Sequence, residues 1–284
     1  MRKNTWLLLD VSCLAYRAHY SRQVEMGEAG EIVYALLQDV LTLQEVHGTS
    51  NIVFCFDGGC DCRTEIYPEY KQNRRKHQLD MPEEELEKRR SLLKQLYLMR
   101  TEYLLEVGYK NILHQPGYEA DDIIAWLTKN VDGDFVVVSA DQDLYQLLGE
   151  SVTVWNPIKR KPFTAGSFIK KYEIDPSKWW KVKAIAGCSS DNIPGIYGVG
   201  EKNAVKYLNK ELSEDSTRFE AIRKGKEEIK RNGILTKLPF KGCGPFELQE
   251  ECVGRNQWNG LMRRLGFEIN PQSKGRTRRK RNEE

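Results

Sequence analysis

Two rhythms of apolar and polar positions run through the first two thirds of the chain. Thr5–Leu9, Asn51–Phe56, Phe135–Val138 and Ser151–Trp155 are short, dense apolar runs rich in Val, Leu and aromatic residues, and they read as buried strands. Between them, Ile32–Glu45 places apolar residues at Ile32, Ala35, Leu36, Val40 and Leu43, the spacing of one helical face. Glu119–Thr128 reads as a helix in the same way. Buried strands joined through helices predict an α/β fold with a mostly parallel central sheet flanked by helices.

The segment between the second strand and the Glu119 helix differs. Tyr67–Leu79 is polar, basic and aromatic. Met81 and Pro82 then lead into Glu83, Glu84 and Glu85, a first turn suited to the positive end of a long helix. Leu86, Leu93, Leu96, Leu104 and Leu105 are expected to form its apolar side as far as about Glu106. After Pro157 the pattern becomes one of short helices, Phe168–Tyr172, Trp179–Ala186 and Lys202–Leu208, punctuated by Gly and Pro. Asn232–Pro245 reads as an irregular connection. The expected organisation is an α/β domain over 1–157 with an excursion at 66–106, a helical subdomain over 158–270, and a basic, disordered tail over 271–284.

Charge and cysteine content narrow the function classes. The 284 residues carry 44 Lys and Arg against 41 Asp and Glu, a net charge of +3. Six basic and two acidic residues fall in Pro271–Glu284, so the tail concentrates the excess and suits either solubility or a weak polyanion contact. Apolar runs such as Trp6–Leu9 are far short of the roughly 20 residues of a membrane helix. Seven cysteines, with Cys60 and Cys62 close but no matched CxxC pairs, fit free thiols in a reducing cytoplasm, or a host's cytoplasm if the chain is viral.

The candidate chemistry lies in where the acids fall. Asp10 follows the first strand, Asp57 the second, and Asp141 and Asp143 the third. The carboxyl ends of parallel strands share one crevice, so these acids are expected to meet there. Glu119, Asp121 and Asp122 open a helix, and Asp191 sits in the polar turn Cys188–Asn192. Each acid alone has an ordinary explanation as a helix cap or a favourable charge at a helix start. A crowd of them requires protonation or cations. Oxygen donors without His favour Mg²⁺ or Mn²⁺, and two such ions are the usual device for phosphodiester hydrolysis. Tyr67, Tyr70, Lys71, Arg74, Arg75 and Lys76 interleave rings and cations, as a single-stranded nucleic acid requires. In Ile193–Ala204, Gly198 and Gly200 permit close approach to a phosphate backbone, and Lys202 and Lys206 lie one helical turn apart.

Gly117–Asp122, Ser139–Leu144, Ser190–Gly195 and Tyr67–Arg74 resemble, in order, signature segments of the 5′ nuclease (flap endonuclease) family, over about Leu7–Leu208. The resemblance implies a PIN-like, resolvase-like sheet, a helical arch at 66–106 and a helix-three-turn-helix near 181–208 that grips duplex DNA and often holds K⁺. It implies that Asp10, Asp57, Glu119 and Asp121 hold one metal, with Asp122 directly or through water, and that Asp141, Asp143 and Asp191 hold a second. Lys71 resembles the arch lysine at the scissile phosphate, Arg74 a second phosphate clamp and Tyr70 a stacking partner. Cys188 stands where the family usually has a carboxylate, and a soft sulfur is a poor ligand for Mg²⁺. The implied partners are branched or nicked duplex DNA with a 5′ single strand, or an RNA/DNA hybrid, met by a monomer. Separately, the basic tail suits contact with DNA, a replication clamp or a single-strand-binding protein. A PIN-like ribonuclease and a structure-specific DNA-binding protein with little catalysis are the alternative readings.

Overall fold

A computed structural model describes residues 4–21, 31–251, 253–269 and 277–279. A six-stranded sheet runs in the order β3-β2-β1-β4-β5-β6, built from β1 (Thr5–Asp10), β2 (Ile52–Phe56), β3 (Ile112–His114), β4 (Asp134–Val138), β5 (Val152–Asn156) and β6 (Lys161–Phe163). All pairings are parallel except that of β6 with β5. The expected α/β class holds. Two strands escape the apolar pattern: β3 is only three residues long, and β6 is a polar edge strand containing Pro162.

The sheet is covered on both faces because its strands are apolar on both faces. Trp6 and Leu8 of β1 pack with Ile123, Ile124 and Leu127 of α7 (Ala120–Asn130). Leu7 and Leu9 point the other way, onto α1 (Val11–Ser21) and α2 (Glu31–His47) through Leu14, Leu36 and Val40. The order reverses between β1 and β4, so their carboxyl ends open the crevice that the acid pattern predicts.

The excursion consists of α3 (Asp61–Ile66), α4 (Gln72–Leu79), α5 (Glu83–Leu98), one π-helical turn (Met99–Tyr103) and α6 (Leu104–Val107). Its buried stripe is Leu92, Gln95, Met99, Tyr103 and Val107, spaced by three and four. Leu93 and Leu105, expected on the apolar side, are exposed because Leu93 stands one position past Leu92 and Leu105 two positions from both Tyr103 and Val107. No residue of α4 is buried.

Beyond β6 come α8 (Ala165–Tyr172), α9 (Trp179–Ala186), the two-residue strands β7 (Gly187–Cys188) and β8 (Ile193–Pro194), α10 (Glu201–Leu208), α11 (Thr217–Lys224) and α12 (Lys226–Thr236). Asn232 and Thr236 continue α12 where an irregular connection is expected. Asn232 is fully buried and donates to the Ala184 and Pro194 carbonyls, 3.0 and 2.7 Å away, so tertiary bonds hold the helix past the polar sequence. α13 (Arg255–Arg264) returns to the α1–α2 face of the sheet, where Trp258, Leu261 and Met262 join the core of the first domain. The cores therefore do not divide at residue 157. β9 (Phe267–Ile269) pairs antiparallel with β10 (Thr277–Arg279), a strand within the segment expected to be disordered. The rest of that tail lies outside the described residues.

Candidate active site

Each strand end delivers its acid to the crevice, held by a local bond. Asp10 accepts the backbone N–H of Cys13 (2.9 Å), capping α1, and the Ser139 hydroxyl (2.7 Å). Asp57, exposed after β2, accepts the N–H of Ala120 (2.9 Å) and so fixes the start of α7 beside β2. After β4, Asp141 accepts the N–H of Asp143 (2.8 Å), which opens a 3₁₀ turn. The cap explanation is thus true of Asp10 through one oxygen, while Ser139 holds the other.

Glu119, Asp121, Asp141, Asp143 and Asp191 line one small polar cavity with Arg63, Tyr70 and Lys71. Asp191 arrives on the loop between β7 and β8, far along the chain. Cations from the excursion reach in to meet these acids. Lys71 pairs with Glu119 and lies 3.6 Å from Asp191. Arg74 bonds Asp191 at 2.8 Å and the Ser190 carbonyl at 3.2 Å. The N–H of Lys71 donates to the Asp191 carbonyl (2.9 Å), so the excursion and this loop are tied through backbone as well.

Electrostatics set the acids apart. Burial, then Asp57, pushes Asp10 up to about 7. Burial and Asp141 push Asp143 up to about 7. Burial, Asp141 and Asp10 raise Asp121 well above the carboxylate range. Burial opposes ionisation of Glu119, yet Lys71 and Arg63 hold its carboxyl below the usual value. Crowded carboxyls that resist ionising together are the donor set a hard divalent cation satisfies. Asp143, Cys188 and Asp191 bring a carboxylate oxygen, a sulfur and a carboxylate oxygen within 4.8 Å of one another. The Cys188 thiol, pushed up to about 11 by burial and Asp143, brings no charge at neutral pH.

Two expected roles do not match the geometry. Asp122 is fully buried and turned away: Arg63 bonds both its oxygens, at 2.5 and 2.8 Å, and the Phe240 N–H adds a third bond at 2.8 Å. Tyr70 is 3% exposed and its hydroxyl donates to Glu119 at 2.7 Å, so its ring is packing and offers no face to a base. Arg75 caps the Pro68 and Tyr70 carbonyls at 3.0 Å, and Lys76 is exposed on α4. At the glycine-rich turn, Gly198 has φ +75° and Gly200 caps α10; neither has a neighbour within 4 Å of where a Cβ would stand. Lys202 and Lys206 are exposed on α10, well along the chain from the acids. Three residues escape the sequence pattern: Arg63, Ser139, and Lys183, which lies 3.8 Å from Asp143. Ser139 opens the Ser139–Leu144 segment, two residues before Asp141, which is the signal that marks it; nothing local marks Arg63 or Lys183.

Residues 5–173 match the family described as 5′-3′ exonuclease, N-terminal resolvase-like domain. The chain is 30% identical over 243 residues to the thermostable DNA polymerase I of Thermus thermophilus, covering 83% of this chain and 27% of that protein. It is 32% identical over 213 residues to the 5′-3′ exonuclease of Aquifex aeolicus, covering 72% of this chain and 69% of that one. It thus spans about a quarter of the polymerase relatives. Among solved structures, T5 5′-exonuclease with bound divalent metal ions (zinc) superposes with a TM-score of 0.72 at 20% identity, covering 92% of this chain and 98% of that one. The catalytic core of Rad2 in complex with DNA substrate gives 0.56 at 15%, covering 93% and 88%. At these identities the structures establish a shared fold. Motifs, matched domain and relatives together place the chain in the 5′-3′ exonuclease family.

Proposed function

We propose that the chain is a divalent-metal-dependent 5′ nuclease acting near the 5′ end of a strand in branched or nicked duplex DNA, or in an RNA/DNA hybrid. The observation that carries this reading is the convergence of Glu119, Asp121, Asp141, Asp143 and Asp191 on one cavity, with Lys71 at its edge. Asp10, Asp57, Glu119 and Asp121 would hold one ion, and Asp141, Asp143 and Asp191 a second. Mg²⁺ or Mn²⁺ bound there supplies a water ionised near neutral pH and a counter-charge for the leaving oxygen. Asp122, engaged by Arg63, is left out of this set.

The chain's own groups do the positioning. Lys71 and Arg74 pair with Glu119 and Asp191; ions held by those acids would leave both side chains free for phosphate oxygens. There they stabilise the charge that builds during attack. The Ser139 hydroxyl orients Asp10. Gly198, Gly200, Lys202 and Lys206 grip the duplex through phosphates, so this contact is insensitive to base sequence and weakens with salt. A K⁺ on backbone oxygens of that turn belongs to the same proposal. Tyr197, 99% exposed beside Gly198, adds an open ring to the grip.

Removal of primers and flaps in replication and repair, with a clamp or single-strand-binding protein as partner, follows from this chemistry as the corresponding cellular role. Cys188 favours one second reading, a structure-specific binding protein with weak catalysis. Cleavage mapping on end-labelled 5′-flap, nicked and RNA-primed duplexes in Mg²⁺ and in Mn²⁺ separates the two. Asp121→Asn is expected to abolish cleavage while sparing DNA binding. Binding without any cleavage by the unmodified chain in either metal would leave the binding-protein reading.

A further inference from the structure

A second cavity, of about 930 Å³, lies between α9, α10, α11 and α12. Ligand clefts commonly span roughly 300–1,000 Å³, so this one is large. Ile185, Leu208, Ile222, Ile229 and Phe240 line it, with Trp180 and Tyr207. Ile185 and Ile222 belong to the buried core, so the cavity reaches deep, whereas Ile66 and Ile234 stand exposed at its mouth. A concave, mostly apolar lining that runs from the core to open water is the usual form of a binding cleft.

Its rim is cationic. Lys181, Lys226, Lys230, Lys237 and Lys241 line it, and no Asp or Glu does. None of the five forms an ion pair with a described residue; the ion pairs of this region use Lys183 and Lys224. The arrangement follows from α12. Lys226 and Lys230, one turn apart, line the cavity with Ile229, Gly233 and Ile234, whereas neither Glu227 nor Glu228 does. The ammonium groups of Lys181 and Lys237 lie 5.4 and 5.3 Å from the centre of the Trp180 ring, which holds their charges at the edge.

We propose that this cavity docks a segment of another protein in which apolar side chains are interspersed with Asp and Glu. Apolar groups fill the lining and carboxylates meet the five unpaired lysines, the usual division between the core and the rim of an interface. A nucleic-acid strand would satisfy the lysines alone. Its bases need stacking faces and hydrogen-bonding partners, and this lining is mostly aliphatic. The site is independent of the nuclease reading. It takes Tyr207 and Leu208 from the far end of α10, leaving the Gly198–Gly200 turn, Lys202 and Lys206 open.

The test is fluorescence anisotropy of the full chain with a labelled peptide, Asp-Leu-Asp-Glu-Ile-Leu-Asp-Asp-Phe-Leu-Glu-Asp. The controls are the same peptide with Ser at every apolar position and an oligothymidylate of equal charge as competitor. The expected result is saturable binding, at least about tenfold weaker for the Ser peptide. Binding should fall about tenfold or more in a Lys230→Glu, Lys237→Glu double variant. Gly233→Leu should block it too, because a Cβ at Gly233 already lies 3.1 Å from the Trp180 ring and a longer side chain fills the space. Circular dichroism verifies that both variants are folded. Absence of saturation, equal binding of the Ser peptide, displacement by oligothymidylate, or unchanged binding in the double variant each overturns the proposal.

Discussion

Adjacent acids at the start of α7 have opposite fates, because consecutive helical positions diverge by about 100°. Asp121 faces the crevice, whereas Asp122 faces Arg63, which is itself 2% exposed and also donates to the Leu235 carbonyl at 3.0 Å. Removing one partner of such a pair strands the other charge. Arg63→Met is therefore expected to lower unfolding stability by about 3–5 kcal/mol in urea titration. Asp122→Asn should also destabilise, while leaving the Mg²⁺ affinity of the folded protein unchanged by calorimetry. A weakened affinity with unaltered stability would return Asp122 to the metal set. Cys188 makes a different prediction. Because its thiol is uncharged at neutral pH, Cys188→Asp should tighten Mg²⁺ binding at the Asp143–Asp191 position. Unchanged calorimetric affinity would mean that position 188 does not face the ion.

The element that matters most for the site is the β7–β8 hairpin, since it carries Asp191 to acids from the other end of the chain. Its two arms approach without room for side chains. Gly187, at φ +82°, faces the Gly195 backbone, and a Cβ on Gly195 would strike the Ala186 carbonyl. Gly195→Ala must push the arms apart. The expected outcome is a loss of about 2 kcal/mol or more together with weaker metal binding, because the loop carrying Asp191 moves. Retained stability and affinity in that variant would show that the hairpin does not set the position of Asp191. Its paired glycines are visible in sequence as turn residues, but nothing local distinguishes a turn from two backbones in contact. The arch helix shows the same limit: its leucines predict a helix correctly and its buried side imperfectly, since which of two neighbouring leucines is covered depends on what packs there.

For the molecule as a whole, the acids make stability depend on pH. Asp10 and Asp143 rise from an ordinary value of 3.8 to about 7 in the folded chain. Between those values the native state holds protons that the unfolded chain has released. Their contribution to stability is therefore lost as pH climbs from about 4 to 7. A cation bound at these carboxyls would replace those protons, so Mg²⁺ should raise the melting temperature more at pH 8 than at pH 5. Equal shifts at both pH values would indicate that these carboxyls are not where the metal binds.

The apolar rhythm by itself determined the α/β class, four of the strands, the main helices and the candidate acids, because strand and helix periods and the placement of acids after strands are local properties of the chain. The resemblance of Tyr67–Arg74 to a family segment, not the rhythm, implied that Lys71 and Arg74 work beside those acids. Only the tertiary structure decided which acids face the crevice and which are paired away. It buried Tyr70 against Glu119, brought Arg63 to Asp122, carried α13 back to the first core, and opened the lysine-rimmed cavity from four separate helices. Those outcomes depend on contacts between residues distant in sequence, where burial and the pairing of charge outweigh anything a local pattern records.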